Sequence, residues 1–316
     1  MNKKYILSFF LLFVALGSSA SEKDTSYQDS IRNIEFQLEG LSHNIINGVD
    51  VQERVTSCYY FVQTLKKALQ VPTSFDYDFT LLKTVSILKP KDEAFRIFTW
   101  NLLLDSGRYM YFGALQMNND DSLVLYGLYD SSDNVRDPEF QTVDNRHWMG
   151  ALYYQIHDYK YKGKMHYILF GWDGEDHLVN KKIIDVLYFD EDNKPMFGLP
   201  IFVNQEDEYK YRIIHTFADQ ATIISRYNAE ENSIVFNHLT PFHPMQKGMF
   251  QYYVPDGTYD YMEFSKGFWL RKDLLFKGLD EHKHDLRKTN DVQEPEAPKD
   301  FKKQKKKAKR KNRKAF

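Results

Sequence analysis

Two segments near the start of the chain repeat apolar residues with the period of an α-helix. Asn47-Gly48 between them is a helix stop, and Asp50 with Glu53 three residues later resembles a capping box. The apolar positions are Ile31, Ile34, Leu38, Leu41 and Ile45, followed by Val51, Val55, Cys58, Val62, Leu65 and Leu69. This spacing predicts a helical hairpin within residues 21–72, with its seam packed on itself and on the domain that follows. A coiled-coil dimer is the alternative, although each stripe spans only about two heptads.

From about Phe79 to Leu270 the pattern changes to short aromatic and β-branched runs separated by turn residues. The predicted strands are 95–100, 109–117, 123–129, 148–156, 165–170, 183–189, 196–203, 209–217, 222–227, 233–238, 249–254, 259–264 and 268–270. The links between them are short enough for hairpins, and no repeat of fixed length argues for a propeller. The sequence therefore predicts a mainly β protein. Residues 73–279 form an antiparallel sandwich or a curved multi-stranded meander behind the helical hairpin.

The first twenty residues have the pattern of a cleavable secretory signal. Lys3 and Lys4 precede an uncharged apolar run from Tyr5 to Leu16, and a small-residue cleavage motif ends at Ala20. The run is short against the roughly 20 apolar residues of a spanning helix, so an uncleaved anchor is the less favoured alternative. Ser21 stands where a bacterial lipoprotein needs cysteine. We therefore expect an exported protein, in the periplasm, at the outer membrane or secreted, with no transmembrane helix in the mature chain.

The net charge of −2 averages two segments of opposite sign. Residues 21–300 hold 30 Lys and Arg against 44 Asp and Glu, a formal charge of −14, whereas residues 301–316 hold ten bases and no acid. Residues 280–300 are polar and lack apolar periodicity, which predicts a disordered linker. Like charges repel in the tail that follows, so an extended and solvated polybasic segment is expected at residues 301–316.

The polybasic tail is the one segment to which the sequence assigns a binding role. Its predicted polyanion-binding residues are Lys302, Lys303, Lys305, Lys306, Lys307, Lys309, Arg310, Lys311, Arg313 and Lys314. An exported protein meets lipopolysaccharide, phospholipid headgroups and anionic cell-wall polymers, which are therefore the expected partners. Nucleic acid is less favoured, because the tail has no interleaved aromatic residues for base stacking. A purely solubilising tail, or one that folds back on its own acidic body, is the alternative.

No segment carries an enzyme signature. The motifs of zinc proteases, serine hydrolases and phosphate-binding loops are absent from the sequence. Three acidic segments, at residues 130–133, 173–176 and 190–195, are interpreted as hairpin turns; the last begins like a calcium loop but has Pro195 where glycine is required. His157 and His166 are predicted to face each other across one hairpin, which is too few ligands for zinc. Cys58, the only cysteine, is predicted to be buried. The sequence predicts no catalytic residue, metal site or cofactor.

Three segments resemble an uncharacterised family of exported proteins from Bacteroidota-type bacteria. They are Gly171-Trp172-Asp173-Gly174, the run 180–186 (NKKIIDV) and the run 252–260 (YYVPDGTYD). The resemblance covers roughly residues 25–275 and implies a Gram-negative envelope as the setting. It implies no activity and no site residue, and the polybasic tail lies outside it.

These observations leave three hypotheses of different classes. The leading one is a non-enzymatic protein of the cell envelope, held to anionic surfaces by its tail. The second is an enzyme that processes envelope glycans or peptides, which predicts a pocket with convergent carboxylates or a metal. The third is a secreted nucleic-acid-binding protein, which predicts a steep loss of DNA affinity with salt that depends on residues 301–316.

Overall fold

The turn between the two helices of the hairpin lies where its capping residues direct. The computed structural model describes the backbone of residues 4–119 and 121–275 and the side chains of residues 26–119 and 121–272. Helix α1 spans Lys4–Asn47 and helix α2 spans Val51–Leu69. The backbone N–H of Glu53 donates to the Asp50 carboxylate at 2.8 Å, and the Glu53 carboxylate accepts from the backbone N–H of Val49. The predicted helix stop and start are both confirmed.

The buried face of α2 differs in part from the predicted stripe. Cys58, Leu65 and Leu69 are buried as expected, and Phe61 and Ala68 join them. Val55 and Val62 were expected on this face but are 42% and 45% exposed. The α-helix turns by 100° per residue, so a stripe centred on Phe61 and Leu65 leaves these valines at its outer border.

In the part of the chain that the structure describes, sixteen strands form three sheets. The first sheet is an antiparallel meander of β1 (Ser86–Leu88), β2 (Phe95–Leu103), β3 (Tyr109–Met117) and β4 (Leu125–Tyr129). The second has the order β5 (Val143–Asp144), β9 (Pro195–Phe197), β8 (Val179–Phe189), β7 (Lys164–Asp173) and β6 (Leu152–Tyr161), with β12 (Ile213–Ala218) also paired to β8. The third has the order β11 (Tyr209–Lys210), β10 (Phe202–Val203), β16 (Phe268–Leu275), β15 (Tyr253–Ser265), β14 (Ser233–Pro241) and β13 (Ser225–Asn228). Among these ladders the β10–β16 pair is parallel.

The helices and the three sheets stack as four layers, with a hydrophobic cluster at each junction. The helical hairpin packs on Phe98, Trp100 and Leu102 of β2. The other face of the first sheet, with Phe95 and Ile97, packs on the second sheet. The third cluster joins the far face of the second sheet to the third sheet through Ile168, Phe170, Ile184, Val186, Phe236, Met262 and Trp269, among others. Successive strand residues point to opposite faces, so β2 is buried along eight of its nine residues because both its faces are covered.

The mainly β fold with a helical pair is confirmed, and several predicted strands differ in detail. The expected strand 196–203 divides into β9 and β10, which belong to different sheets. Gly198 lies between them with a φ of +90°, and a Cβ there would come within 2.7 Å of the Arg212 guanidinium. Likewise the expected strand 209–217 divides into β11 and β12 around Arg212. The expected strand 249–254 begins only at Tyr253, and turns precede it.

A buried ion pair in the second sheet explains both divisions. Arg212 and Asp185 have fully buried side chains, and Arg212 Nε lies 3.2 Å from Asp185 Oδ2. The guanidinium also donates to the carbonyl oxygens of Phe197, at 3.1 Å, and of Gln141, at 3.2 Å. Burial raises the pKa of the Asp185 carboxyl, and the charge of Arg212 opposes that rise. Bringing Arg212 to this position requires the chain to turn inward on both sides of it.

Other predictions fall where the structure describes little or nothing. The segments 280–300 and 301–316, with the polybasic residues, lie outside the described residues, as do residues 1–3 of the predicted signal. Within the described part, no helix is both apolar enough and long enough for a bilayer crossing.

The buried ion pair predicts a non-additive effect on stability. Arg212→Met leaves the Asp185 carboxylate buried without its partner, which is expected to lower the free energy of unfolding by about 3–5 kcal/mol. The double variant Arg212→Met with Asp185→Leu removes both charges, so it is expected to lose less than the single variant. Urea unfolding followed by circular dichroism measures both.

The matched control is Lys194→Met, which breaks the exposed ion pair of Lys194 with Asp192. It is expected to leave the urea midpoint unchanged, because exposed pairs contribute little. Equal midpoints for the Arg212 and Lys194 variants would contradict the structural role of the buried pair.

Candidate functional site

Two acidic turns that lie far apart in the sequence meet in one groove. The turn at residues 130–134 follows β4, and the turn at residues 173–176 follows β7. They line two adjoining hollows, of about 330 and 440 Å³, that share Ser132, Asp133 and Glu175. We call this feature the acidic groove. Its charged lining residues are Arg108, Asp130, Asp133, Asp137, Glu139, Asp173, Glu175 and Lys181.

Asp130 organises the first turn. One of its carboxylate oxygens accepts from the backbone N–H of Tyr111 at 3.0 Å, and the other accepts from the N–H and hydroxyl of Ser132. The Ser132 hydroxyl in turn accepts from the N–H of Gly150 at 3.0 Å. A Cβ on Gly150 would come within 2.6 Å of the Asp130 carboxylate, so only glycine fits beside it. These bonds leave Asp133 at the tip, 67% exposed.

The second turn is built on Asp173 and Tyr111. The backbone N–H of Glu175 donates to Asp173 at 2.9 Å, and the N–H of Gly174 donates to the Tyr111 hydroxyl at 2.7 Å. A Cβ on Gly174 would come within 2.4 Å of the Tyr109 ring, so a larger residue would push this ring aside. Glu175 has a φ of +28°, a conformation that L residues rarely adopt. Such strained backbone tends to occur at functional sites.

Two cations hold the carboxylates of the groove in ion pairs. Lys181, from β8, pairs with Glu175, and its Nζ lies 3.7 Å from an Asp173 oxygen. Arg108, just before β3, pairs with Asp133 across the groove. Arg108 and Asp133 are both largely exposed, so solvent or a ligand can replace either partner. The acids outnumber these two bases, so the groove carries a net negative charge.

Asp173 has the strongest perturbation of any carboxyl in the groove. Burial raises its pKa to about 6, although the charge of Lys181 and the N–H of Glu175 lower it. The pKa of Tyr111 is raised as well, by burial first and then by the negative charge of Asp173. A pair of such groups is typical of functional sites, although structural networks also produce it. Asp173 can therefore hold a proton close to neutral pH.

The second hollow depends on the buried Arg212. Residues 138–140 form its wall, and Arg212 donates to the backbone carbonyl of Pro138 at one end of that wall. Glu139 accepts from the backbone N–H of Ile214 at 3.0 Å and pairs with Lys210 at 2.6 Å. The wall is therefore attached to the second sheet by a buried guanidinium and by a carboxylate.

Aromatic rings stand at the rim of both hollows. Tyr129 is 63% exposed, and Phe140 and Phe250 are 45% and 48% exposed. Tyr109 packs edge-on against Trp172 at 5.3 Å between ring centroids, which fixes the ring next to the Asp173 turn. The groove thus combines charged groups, hydroxyls and accessible ring faces.

The remaining candidates from the sequence lie elsewhere. The segment 190–195 is a hairpin turn, in which Asp190 accepts from the N–H groups of Asp192 and Lys194. His157 pairs in register with Ile168, and Tyr159 rather than His157 lies opposite His166, so the predicted facing pair is wrong. Within the residues that the structure describes, no three His, Cys, Asp or Glu side chains are placed to hold one metal ion. Cys58 is buried as predicted, near the indole N–H of Trp100.

Sequence reasoning missed several residues of the groove, among them Arg108, Tyr109, Tyr111 and Lys181. Tyr109 and Tyr111 are two residues apart and therefore point to the same face of β3, a spacing that ordinary core residues share. One signal could have indicated these residues: each acidic turn contains glycine or serine. Such turns place acidic side chains at the ends of strands, next to residues of the neighbouring strands.

Asp173 predicts a specific pH dependence of stability. Its folded pKa of about 6 exceeds the ordinary 3.8, so the proton binds more tightly in the folded state. This contribution to stability is fully present below pH 3.8 and is lost as the pH rises through 6. Asp173→Asn removes the titration, so from pH 4 to 7 the parent should lose about 2–3 kcal/mol relative to the variant. Urea unfolding at several pH values measures the difference.

The neighbouring substitution Asp176→Asn is the control. Burial tends to raise the pKa of Asp176, but hydrogen bonds from the N–H groups of Leu178 and Val179 hold it below its ordinary value. Its stabilising contribution is therefore lost only at lower pH, and the parent and this variant should keep a constant difference from pH 4 to 7. A constant difference for Asp173→Asn as well would show that Asp173 is ionised throughout.

Comparison with known proteins assigns no family to this chain. No protein-family model matches the chain, and no curated protein matches its sequence. The three segments on which the predicted family resemblance rests have separate places in the fold. The first contains Asp173, which lines the groove, and the second lies in β8. The third begins one residue before β15 and continues into it.

Proposed function

We propose that this chain is an exported, non-enzymatic protein of the cell envelope that binds a glycan in the acidic groove. The observation that carries the proposal is the convergence of the two acidic turns, with ion-paired carboxylates and exposed rings around one hollow. The predicted signal segment and the resemblance to exported Bacteroidota-type proteins support the envelope as the setting. The polybasic tail is proposed to hold the protein to anionic envelope surfaces.

A glycan fits the groups that the groove presents. Sugar hydroxyls are both donors and acceptors, and Arg108, Asp133 and the hydroxyl of Ser131 line the same hollow. Tyr129 offers an exposed ring at the rim, and an aromatic face packs well on the apolar face of a sugar. The excess of carboxylates disfavours anionic sugars. A neutral or amine-bearing glycan is therefore the proposed ligand.

The tail supplies a separate, electrostatic attachment. Each Lys or Arg near an anionic lipid surface contributes about 1 kcal/mol, and the effect is lost beyond a Debye length. Ten such residues within sixteen positions can hold a protein at lipopolysaccharide, phospholipid headgroups or an anionic wall polymer at modest salt. The acidic body has the opposite charge, so the two activities belong to different parts of the chain.

A second candidate function is glycan cleavage, favoured by the environment of Asp173. A carboxyl with a pKa of about 6 can donate a proton near neutral pH, as a general acid does in glycoside hydrolysis. Glu175, which shares Lys181 with Asp173, would be the second carboxylate. Against this role, Asp173 is only 4% exposed and is directed toward Tyr111 and the turn backbone.

The groove predicts that Asp133→Asn weakens glycan binding about tenfold. The substitution removes the charge that pairs with Arg108 and accepts ligand hydroxyls, and a charge-assisted hydrogen bond contributes about 1.5–3 kcal/mol. Calorimetric titration with oligomers of N-acetylglucosamine, fully acetylated and partly deacetylated, measures the affinity.

The matched control is Asp192→Asn, an equally exposed aspartate that pairs with one lysine in a hairpin turn outside the groove. It is expected to bind as the parent does. Equal affinities for both variants would contradict the groove as the binding site. Release of reducing ends by the parent, lost in Asp173→Asn with binding retained, would establish the enzymatic alternative.

The tail predicts salt-sensitive association with membranes. Residues 21–316 are expected to sediment with isolated envelopes more strongly at low salt than at high salt, where screening removes the electrostatic part of the binding. A chain ending at Asp300 is expected to sediment less than residues 21–316 at low salt, because it lacks all ten basic residues. Equal sedimentation of both forms would show that the tail is not the attachment.

A further inference from the structure

The loop between β14 and β15 exposes more apolar surface than a water-facing turn needs. Pro241 and Tyr253 are paired at the end of the hairpin, so residues 242–252 form its loop, which we call the apolar loop. Met245 is 82% exposed and Phe242 is 74% exposed. Met249, Phe250 and Tyr252 are exposed by 49%, 48% and 38%. Exposed apolar groups gathered in this way mark a surface that contacts another apolar phase.

Internal hydrogen bonds give the apolar loop a defined shape. The backbone N–H of Phe242 donates to the carbonyl of Tyr252 at 3.2 Å, which continues the hairpin. His243 caps a short turn over Pro244–Gln246, and the Gln246 side chain accepts from the His243 N–H at 3.0 Å. The N–H of Gly248, at a φ of +85°, donates to the Tyr253 hydroxyl at 3.0 Å. The apolar side chains are therefore displayed by an ordered loop before any partner arrives.

The charge of the apolar loop differs from that of the rest of the body. Residues 21–300 have a formal charge of −14, yet residues 242–252 contain no Asp or Glu and include Lys247. An acid-free loop with one cation fits an anionic surface, which the acidic remainder of the body would repel.

The size of the loop argues for a lipid surface rather than a protein. A standard protein interface buries about 800 Å² on each partner and involves roughly 20–30 residues on each side. Phe250 already lines the acidic groove and Tyr252 is the least exposed of the five, so the outward apolar set is Phe242, Met245 and Met249. Three side chains on a hairpin tip are too few for such an interface. Each of them gains separately when it enters the boundary between headgroups and acyl chains.

We propose that the apolar loop inserts Phe242, Met245 and Met249 into the surface of an anionic phospholipid bilayer, with Lys247 at the headgroup phosphates. The inference rests on the proposed envelope function and names phospholipid as the partner of the folded body. Electrostatic and apolar attachment are complementary, because a single weak membrane signal gives only reversible binding. The tail contribution is screened at high salt, whereas apolar insertion persists.

The test is sedimentation of residues 21–316 with phosphatidylcholine vesicles containing phosphatidylglycerol, at low salt and at about 1 M salt, where the Debye length is about 3 Å. In the loop variant, Phe242, Met245 and Met249 are each replaced by Ser. These side chains are exposed, so the urea midpoint should stay the same. The variant is expected to lose at least about tenfold in partitioning at high salt.

The matched control replaces Tyr59, Tyr60 and Val62 of α2 by Ser, which are 61%, 52% and 45% exposed. It should partition as the parent does. Equal high-salt partitioning of the parent and the loop variant would overturn the proposal, as would an equal loss in the α2 control. If binding at low salt requires residues 301–316 but not the loop, the proposal of tail attachment is supported and only the proposal of loop insertion is contradicted. If the loop variant binds glycan with the affinity of the parent, its loss of membrane binding is not caused by a change in the acidic groove. The loop proposal and the glycan proposal can therefore fail independently.

Discussion

The buried pair of Asp185 and Arg212 is the interaction on which the arrangement of this protein depends. It lies within the second sheet, where both side chains are fully buried. Two charges removed from water are stable there only because Arg212 also donates to the carbonyls of Phe197, Pro138 and Gln141. These bonds tie β9, β12 and the wall of the acidic groove to one point. The hydrogen bonds that satisfy the buried Arg212 guanidinium therefore also fix the position of the groove wall.

The stack of four layers determines where a ligand can bind. Hydrophobic clusters cover both faces of the central strands of the first and second sheets, so a ligand can reach these sheets only at their margins. Between the second and third sheets the Trp269 ring contacts the rings of Tyr159 and Tyr227. Accessible polar groups are consequently concentrated in the turns at strand ends. The acidic groove and the apolar loop are both of this kind.

The features that the sequence predicted correctly are those with local causes. The stop at Asn47-Gly48, the cap at Asp50 and strand β3 each depend on residues within a few positions. The features it missed depend on distant partners. The two acidic turns begin at Asp130 and Asp173, and nothing in either turn indicates the other until β3 and β7 are placed. Val55 and Val62 fit the helical period as well as Phe61 does, and only the outline of the first sheet decides which are covered.

The distribution of charge connects the groove, the tail and the apolar loop in one physical account. A body with a formal charge of −14 is repelled by an anionic envelope surface, and at physiological salt this repulsion acts over about 8 Å. Contact with such a surface therefore requires segments that lack the acidic character of the body. The tail satisfies this condition by its ten bases, and the apolar loop does so by having no acid and one lysine. The carboxylates of the acidic groove disfavour anionic groups, which are the proposed partners of the tail. A protein built in this way can stay at an anionic surface while its groove remains free for a neutral or cationic ligand.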